Sequence, residues 1–318
     1  MTTLDRKQKI RDAAALHPSR KLSKLQIREI VLGYLYISPW LLGYLALTLG
    51  PLLVSFYLSF THYSIITPPR FIGIENYVRA FTQDTLFWRS IGNTLYFVTI
   101  SVPLSITISL FLALLLDQGL SGSKLFRTLF FLPTITPVVA SVLLWKWLFQ
   151  PDFGILNYLL SLIGIQGPRW LASPEWVKPS LIIIHLWGTV GGSQMLIFLA
   201  GLQSIPSDLY EAAAIDGASG RKRLLYITLP LLTPSIFLNL ILGIIAGFRV
   251  FTLAYIATEG GPAYSSLFYV LYLFFNAFKF MNMGYASAMA WILFIAVLAL
   301  TAFQFRMSRR WVYYEAER

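Results

Sequence analysis

The sequence predicts an all-α integral membrane protein with six transmembrane helices. Three observations carry that prediction. Of 318 residues, 57% are hydrophobic and only 12% are charged, against about a quarter charged in soluble domains. Six apolar runs, near residues 33–60, 91–116, 128–149, 179–202, 229–257 and 285–305, are long enough to cross about 30 Å of hydrocarbon, which takes roughly 20 helical residues. Lysines and arginines, finally, divide unevenly between the two faces those runs would create.

Residues 1–30 read as a basic cytoplasmic arm, holding eight Lys and Arg. The apolar run behind it is longer than the core of a cleavable signal, so it is expected to stay as an anchor. Each run must be helical, because lipid offers no partner to loose backbone groups. Prolines 39, 51, 103, 133 and 137 should kink or interrupt several of them. A seventh candidate, residues 264–280, contains Asn276 and Lys279 and barely has the length to cross. With six crossings and both termini inside, 17 Lys and Arg are cytoplasmic and six lie outside. That bias selects the even number, leaving 264–280 as an interfacial helix or an extension of the sixth span. The membrane domain is then 31–306 and the cytoplasmic tail 307–318.

This topology puts a polar stretch, "EAAAIDGASGRKRLLYITLP" (211–230), in the cytoplasmic loop 203–228 between spans four and five. Ser207 is suited to cap a helix, and Asp208 sits where its dipole favours an anion. Gly217 is suited to a left-handed turn at the other end. Three alanines, 212 to 214, make the helix narrow and smooth. Read from these residues alone, the stretch is either an amphipathic loop on anionic headgroups or a docking element. In the second case Glu211 and Arg221–Arg223 would orient a partner by charge.

The spacing from Glu211-Ala212-Ala213 through Gly217 to Leu229-Pro230 resembles the EAA loop of bacterial ABC-importer permeases. Further segments are similar to the carbohydrate-uptake, maltose-type group of that family: "FIGIENYVRAFTQDTLFWRSIGNTLYF" (71–97), "PDFGILNYLLSLIG" (151–164), "TEGGPAYSS" (258–266) and "MGYASAMAW" (283–291). The resemblance covers about residues 30 to 310. It implies that loop 203–228 is a coupling helix, with Glu211, Ala212, Ala213, Asp216 and Gly217 docking into an ATP-hydrolysing subunit. It also implies a second homologous permease, two ATP-binding subunits and an extracytoplasmic solute-binding protein. The expected home is a bacterial or archaeal inner membrane, the solute a sugar or polyol, and no nucleic-acid partner is expected.

The chain shows no P-loop; "GLSGSKLF" (119–126) has its glycines and lysine in the wrong register. No cofactor is therefore expected here, and the resemblance assigns ATP and magnesium to the partner ATPase. There is no cysteine, no H-E-x-x-H motif, and His17, His62 and His185 lack metal-ligand spacing. An ion-coupled carrier, the alternative from another class, normally buries a carboxylate in a span; here the acidic residues fall at span ends or in loops. Two cations lie within spans. Lys146 reads as structural, snorkelling to the outer interface. Arg249 reads as too deep to reach water along a continuous helix, and opens the further alternative of an anionic solute such as a glycerol phosphate. The resemblance implies a substrate path in spans four and five, with Trp187, Gln194, Gly247, Arg249 and Phe251 as candidates.

Overall fold

The computed structural model describes residues 23–119 and 122–313, and the notable expectations for the N-terminal arm before Ser23 lie outside them. The chain divides into two units, Met1–Tyr57 and Leu58–Arg318. In the first, α1 (Lys24–Tyr44) opens on a capping box. The Ser23 hydroxyl accepts from the Gln26 amide at 3.2 Å, and the Gln26 side chain accepts from the Ser23 amide at 3.0 Å. Pro39 lies inside this helix, while Pro51 follows a π-helical turn at Leu45–Leu49 and begins α2 (Gly50–Ser59). A wide turn ahead of a proline is one way a helix absorbs a residue that cannot donate.

The second unit is organised around one long helix. A two-residue antiparallel pair, β1 (Thr61–His62) with β2 (Arg70–Phe71), and a short helix, α3 (Glu75–Thr82), lead into α4 (Thr85–Asp117). Along α4 the buried side chains Ser90, Thr94, Ser101, Ser105, Ser109 and Ala113 are all small. Each hydroxyl needs a partner, and several find one within the helix: Ser90 donates to Phe87 O, Thr94 to Ser90 O and Ser105 to Val102 O, at 2.7 to 2.9 Å. Others bond across to neighbours, Ser109 donating to Val190 O at 2.8 Å and Thr94 accepting from the Tyr269 amide at 2.9 Å. Small side chains along this face let membrane helices approach closely.

The remaining elements wrap that face. They are α5 (Ser123–Ile135), α6 (Val138–Leu148), α7 (Ile155–Leu162), α8 (Val177–Thr189), α9 (Ser193–Gln203), α10 (Ser207–Ile215), α11 (Gly220–Arg223), α12 (Leu229–Leu231), α13 (Thr233–Phe248), α14 (Thr252–Thr258), α15 (Tyr269–Phe274) and α16 (Met283–Ser308). Helices α8, α9, α13 and α15 pack on α4. Glycines make two of these contacts possible: a Cβ at Gly243 would lie 3.1 Å from Val102, and one at Gly247 would lie 2.9 Å from Val98. One core, around Phe97, Leu181, Phe268 and Met289, joins α4 to α8, α15 and α16. A second, around Val102, Met195, Phe198 and Leu232, joins it to α9 and α13.

Three of the expected spans are broken rather than straight. Among the described residues, three helices are long and apolar enough to cross a membrane, or up to six when each bent pair is taken as one crossing. The run 128–149 turns by 95° between α5 and α6, where Thr136 is extended and Pro137 has no amide to donate. The run 179–202 turns by 49° at Val190–Gly192, with Gly192 in a conformation (φ −92°, ψ −137°) outside the helix. The run 229–257 bends by 59° near Leu232 and breaks again at Arg249–Phe251, so the continuous helix expected past Arg249 is absent.

Segment 264–280 also differs from expectation. It is a separate helix, α15 with a π turn at Phe275–Lys279, ended by Met281 in a left-handed conformation (φ 56°) and not continuous with α16. Its Leu271, Tyr272 and Asn276 are buried, so it does not lie on the surface. Asp84 explains its position. One carboxylate oxygen caps α4 at the Phe87 amide, and the other accepts from the hydroxyls of Tyr272 and Tyr285 at 2.6 Å each.

Two breaks meet each other. Thr134 of α5 donates to Gly188 O at 3.3 Å, and a Cβ at Gly191 would overlap the Phe130 carbonyl oxygen. At Gly188 the same addition meets nothing within 4 Å. Gly191→Ala is therefore expected to cost about 1–3 kcal/mol, the usual range for overpacking, while Gly188→Ala is close to neutral. Thermal unfolding of the two variants in detergent, side by side, checks this.

Candidate functional site

Helix α10 carries three of the five residues expected to dock, Glu211, Ala212 and Ala213, while Asp216 caps its C-terminal end and Gly217 follows. Its alanines are strong helix formers, and Asp208 lies in its first turn. Ser207 does not cap it: Pro206 occupies the N-cap, Ser207 is already helical, and no side chain bonds the first amides. The C-terminal end is built more firmly. The Ala218 amide donates to Ala213 O at 2.8 Å and the Gly217 amide to Ala214 O at 3.1 Å. This pair of bonds is a Schellman turn, which needs a left-handed residue, and Gly217 supplies φ 71°. Glu211, Ala212, Asp216 and Gly217 are exposed.

So are apolar side chains beside them. Ile215 is 87% exposed and Tyr226 is 77% exposed. The hairpin is also wired to the next span, since the hydroxyls of Tyr210 and Thr228 lie 2.9 Å apart. Thr228 is buried and immediately precedes α12.

The five substrate-path candidates do not form one cluster. Gln194 is buried, with Oε1 3.2 Å from the Ser109 hydroxyl and its carbonyl accepting from Asn239 at 3.4 Å. Gly247 is buried against Val98. Both belong to the packing of α4, α9 and α13. Phe251 stacks on Tyr255 at 5.4 Å and meets Phe274 at 4.9 Å, fixing the break that follows α13. Trp187 and Arg249 are the exposed pair. Trp187 sits on α8 edge-on to Trp145 at 6.0 Å, just ahead of the Val190–Gly192 break. Arg249 occupies the break between α13 and α14.

A cavity of about 140 Å³ lies where the breaks of α5/α6 and α8/α9 meet, lined in part by Thr134, Thr136, Ser141, His185 and Thr189. Reading the sequence did not find it, although Thr136-Pro137 and Gly191-Gly192 were visible signals for both breaks. Lys146 does not simply reach for water; its ammonium donates to Ile256 O at 3.2 Å, on the last turn of α14. A cation there satisfies a carbonyl the helix cannot. Around α7 and the loops beside it a larger groove, of about 810 Å³, is lined by Trp147, Asp152, Asn157, Tyr158 and Arg169 among others. Among the described residues no group of three His, Asp or Glu side chains is arranged to hold a metal.

Comparison with known proteins gives this geometry its setting. Residues 88–312 match the family model described as "Binding-protein-dependent transport system inner membrane component". The probable ABC transporter permease protein YesP of Bacillus subtilis is 42% identical over 96% of this chain and 98% of its own length. The trehalose/maltose transport system permease protein MalF of Thermococcus litoralis is 36% identical over 90% of this chain and 97% of its own. Among solved structures, a bacterial ABC transporter involved in the import of the acidic polysaccharide alginate superposes with a TM-score of 0.79. It shares 26% identity and covers 89% of this chain and 97% of that one. With a match over most of its length and relatives this similar, the chain belongs to the inner membrane components of binding-protein-dependent transport systems, the permease subunits of ABC importers.

Proposed function

We propose that this permease translocates a sugar or related polyol, delivered by an extracytoplasmic binding protein and driven by ATP hydrolysis on separate subunits. The observation that carries the reading is α10: an exposed small-residue helix, closed by a Schellman turn at Gly217 and tied through Tyr210 and Thr228 to the next span. Two ATP-binding subunits would take two such helices, one from this chain and one from a second, homologous permease. Glu211, Ala212, Ala213, Asp216 and Gly217 form the contact in this chain. Closure of the ATPases then moves the hairpins as handles and rocks the spans between inward- and outward-facing states. ATP and magnesium belong to those partners. Both termini and loop 203–228 are cytoplasmic, and the outer groove near Asp152 and Arg169 faces the binding protein. The membrane domain corresponds to 31–306, between the arm and the tail.

The sugar assignment is supported by the trehalose/maltose permease, and the dependence on a binding protein by the family itself. That dependence runs against the self-sufficient ion-coupled carrier. One observation favours a second reading, an acidic solute. Arg249 stands exposed in non-helical backbone, and the alginate importer handles an acidic polysaccharide. Among the path candidates, Trp187 and Arg249 are placed to meet solute, while Gln194, Gly247 and Phe251 shape the walls behind them.

Two experiments test these assignments in the reconstituted importer. Glu211→Ala and Gly217→Val should insert normally yet raise ATP hydrolysed per solute by about fivefold or more, the scale of a typical coupling energy. Variants that import at the normal ratio would overturn the docking assignment. Separately, Gln194→Leu should lower thermal stability by no more than about 1 kcal/mol, the net worth of one hydrogen bond. The Ser109 hydroxyl keeps its bond to Val190 O at 2.8 Å, and Asn239 bonds a backbone carbonyl that leucine retains. Arg249→Gln should leave stability unchanged and reduce uptake of an anionic oligosaccharide more than that of a neutral one. Equal losses for the two solutes would remove the acidic reading.

A further inference from the structure

The connection between the coupling hairpin and the membrane is interrupted by its own sequence. Pro230 and Pro234 are four residues apart. Each lacks an amide hydrogen, so neither Tyr226 O nor Pro230 O can receive the usual helical bond from four residues on. Two missing rungs in succession leave a weak point, and the helix bends there by 59°. Force applied to α10 must pass this bend to reach α13. A free hinge would absorb it.

The bend is not free. The Thr233 hydroxyl donates to Pro230 O at 2.6 Å, replacing the bond that Pro234 cannot give. The Thr233 hydroxyl oxygen in turn accepts from the Tyr313 amide at 2.9 Å. Tyr313 follows the last helix, and its neighbour Trp311 packs edge-on against Phe237, with ring centroids 6.0 Å apart. Phe305 of α16 meets that ring as well, at 5.4 Å. Phe237 is buried, one turn beyond Thr233 on α13. The tail turns back through short bonds, Trp311 and Val312 amides both donating to Ser308 O at 2.8 to 3.1 Å. A segment of five residues after the last helix thus holds the hinge from both sides: by a hydrogen bond at its proline gap and by an aromatic wedge one turn above.

We infer that the C-terminal segment Arg309–Tyr313 is a brace that fixes the angle between the coupling hairpin and α13, with Thr233, Trp311 and Tyr313 as its positioning residues. The brace converts two proline gaps from a compliant joint into a stiff elbow. It rests on the proposed docking of α10, since an elbow matters only if force arrives at the hairpin. The brace contributes no contact to solute or nucleotide; it sets how much of the hairpin's motion reaches the spans.

The chain has no cysteine, so spin labels at Ser219→Cys on the hairpin and Leu238→Cys on α13 report the elbow directly by pulsed distance measurement. In the full importer, the unaltered tail should give one narrow distance distribution. Thr233→Val, which removes the shared hydroxyl, and Trp311→Ala should each broaden it. The same variants should raise ATP hydrolysed per solute by roughly threefold or more while the ATPase subunits still co-purify. Thr233→Ser, which restores the hydroxyl, should return both readings to normal. A narrow distribution and an unchanged ratio in Thr233→Val would overturn the brace, even if Trp311→Ala fails to fold. Glu211→Ala, run beside them, separates the two claims: normal coupling there defeats the docking assignment, whereas the label distance judges the elbow on its own.

Discussion

A peptide group in hydrocarbon can place its hydrogen bonds only within the protein. Everything else in this structure follows from where that constraint is met and where it is relaxed. Helix α4 runs unbroken from Thr85 to Asp117 with Pro103 inside it, and its buried Ser90, Thr94 and Ser105 hydroxyls bond back to their own backbone. It can therefore sit at the centre with α9 and α13 close against it. The constraint is relaxed at Thr136–Pro137, Val190–Gly192 and Leu231–Thr233, where a shifted amide or a threonine hydroxyl supplies a partner: the Thr136 amide bonds Pro133 O at the first. Thr134 reaches Gly188 O at the second, and Thr233 reaches Pro230 O at the third. Irregular backbone at membrane depth is tolerated where protein or a water-filled cavity covers it.

The same logic explains the contrast between the two ends of the proposed force path. At the hairpin, α10 is short, exposed and closed by a turn that depends on Gly217 being left-handed. Its shape is maintained by its own backbone, which suits an element gripped from outside. At the N-terminal end of α4, Asp84 collects three donors and ties α4 to α15 and α16. One end is a handle and the other an anchor. Between them lie the breaks, which divide long helices into segments able to change angle while each segment stays rigid.

Local signals made the hairpin legible in the sequence. A left-handed glycine after an alanine run is a short-range pattern, and the structure places the turn at that residue. The existence of apolar spans was legible for the same reason, from composition and run length. Their interruption was only half legible. Pro137 and the Gly191-Gly192 pair marked two breaks, but not the close approach of Phe130 O to Gly191, a contact between residues far apart along the chain. Side-chain direction was not legible at all. Gln194 looks alike in sequence whether it faces solute or the Ser109 hydroxyl. Arg249 was placed deep by assuming a continuous helix, and the break at 249–251 removes that assumption.

That break also changes what Arg249 implies. A guanidinium facing lipid is costly at any depth short of the headgroups, and here the side chain is exposed within this chain rather than paired inside it. Trp187, 55% exposed, poses a similar question from α8. A cation and an amphipathic ring, left open on segments that follow or precede helix breaks, suit a surface that faces water or another protein rather than acyl chains. In the proposed importer such a surface exists only once a second permease stands opposite and encloses a path. The polar groups that one chain leaves uncovered are then the lining that two chains share, and solute selectivity becomes a property of the pair.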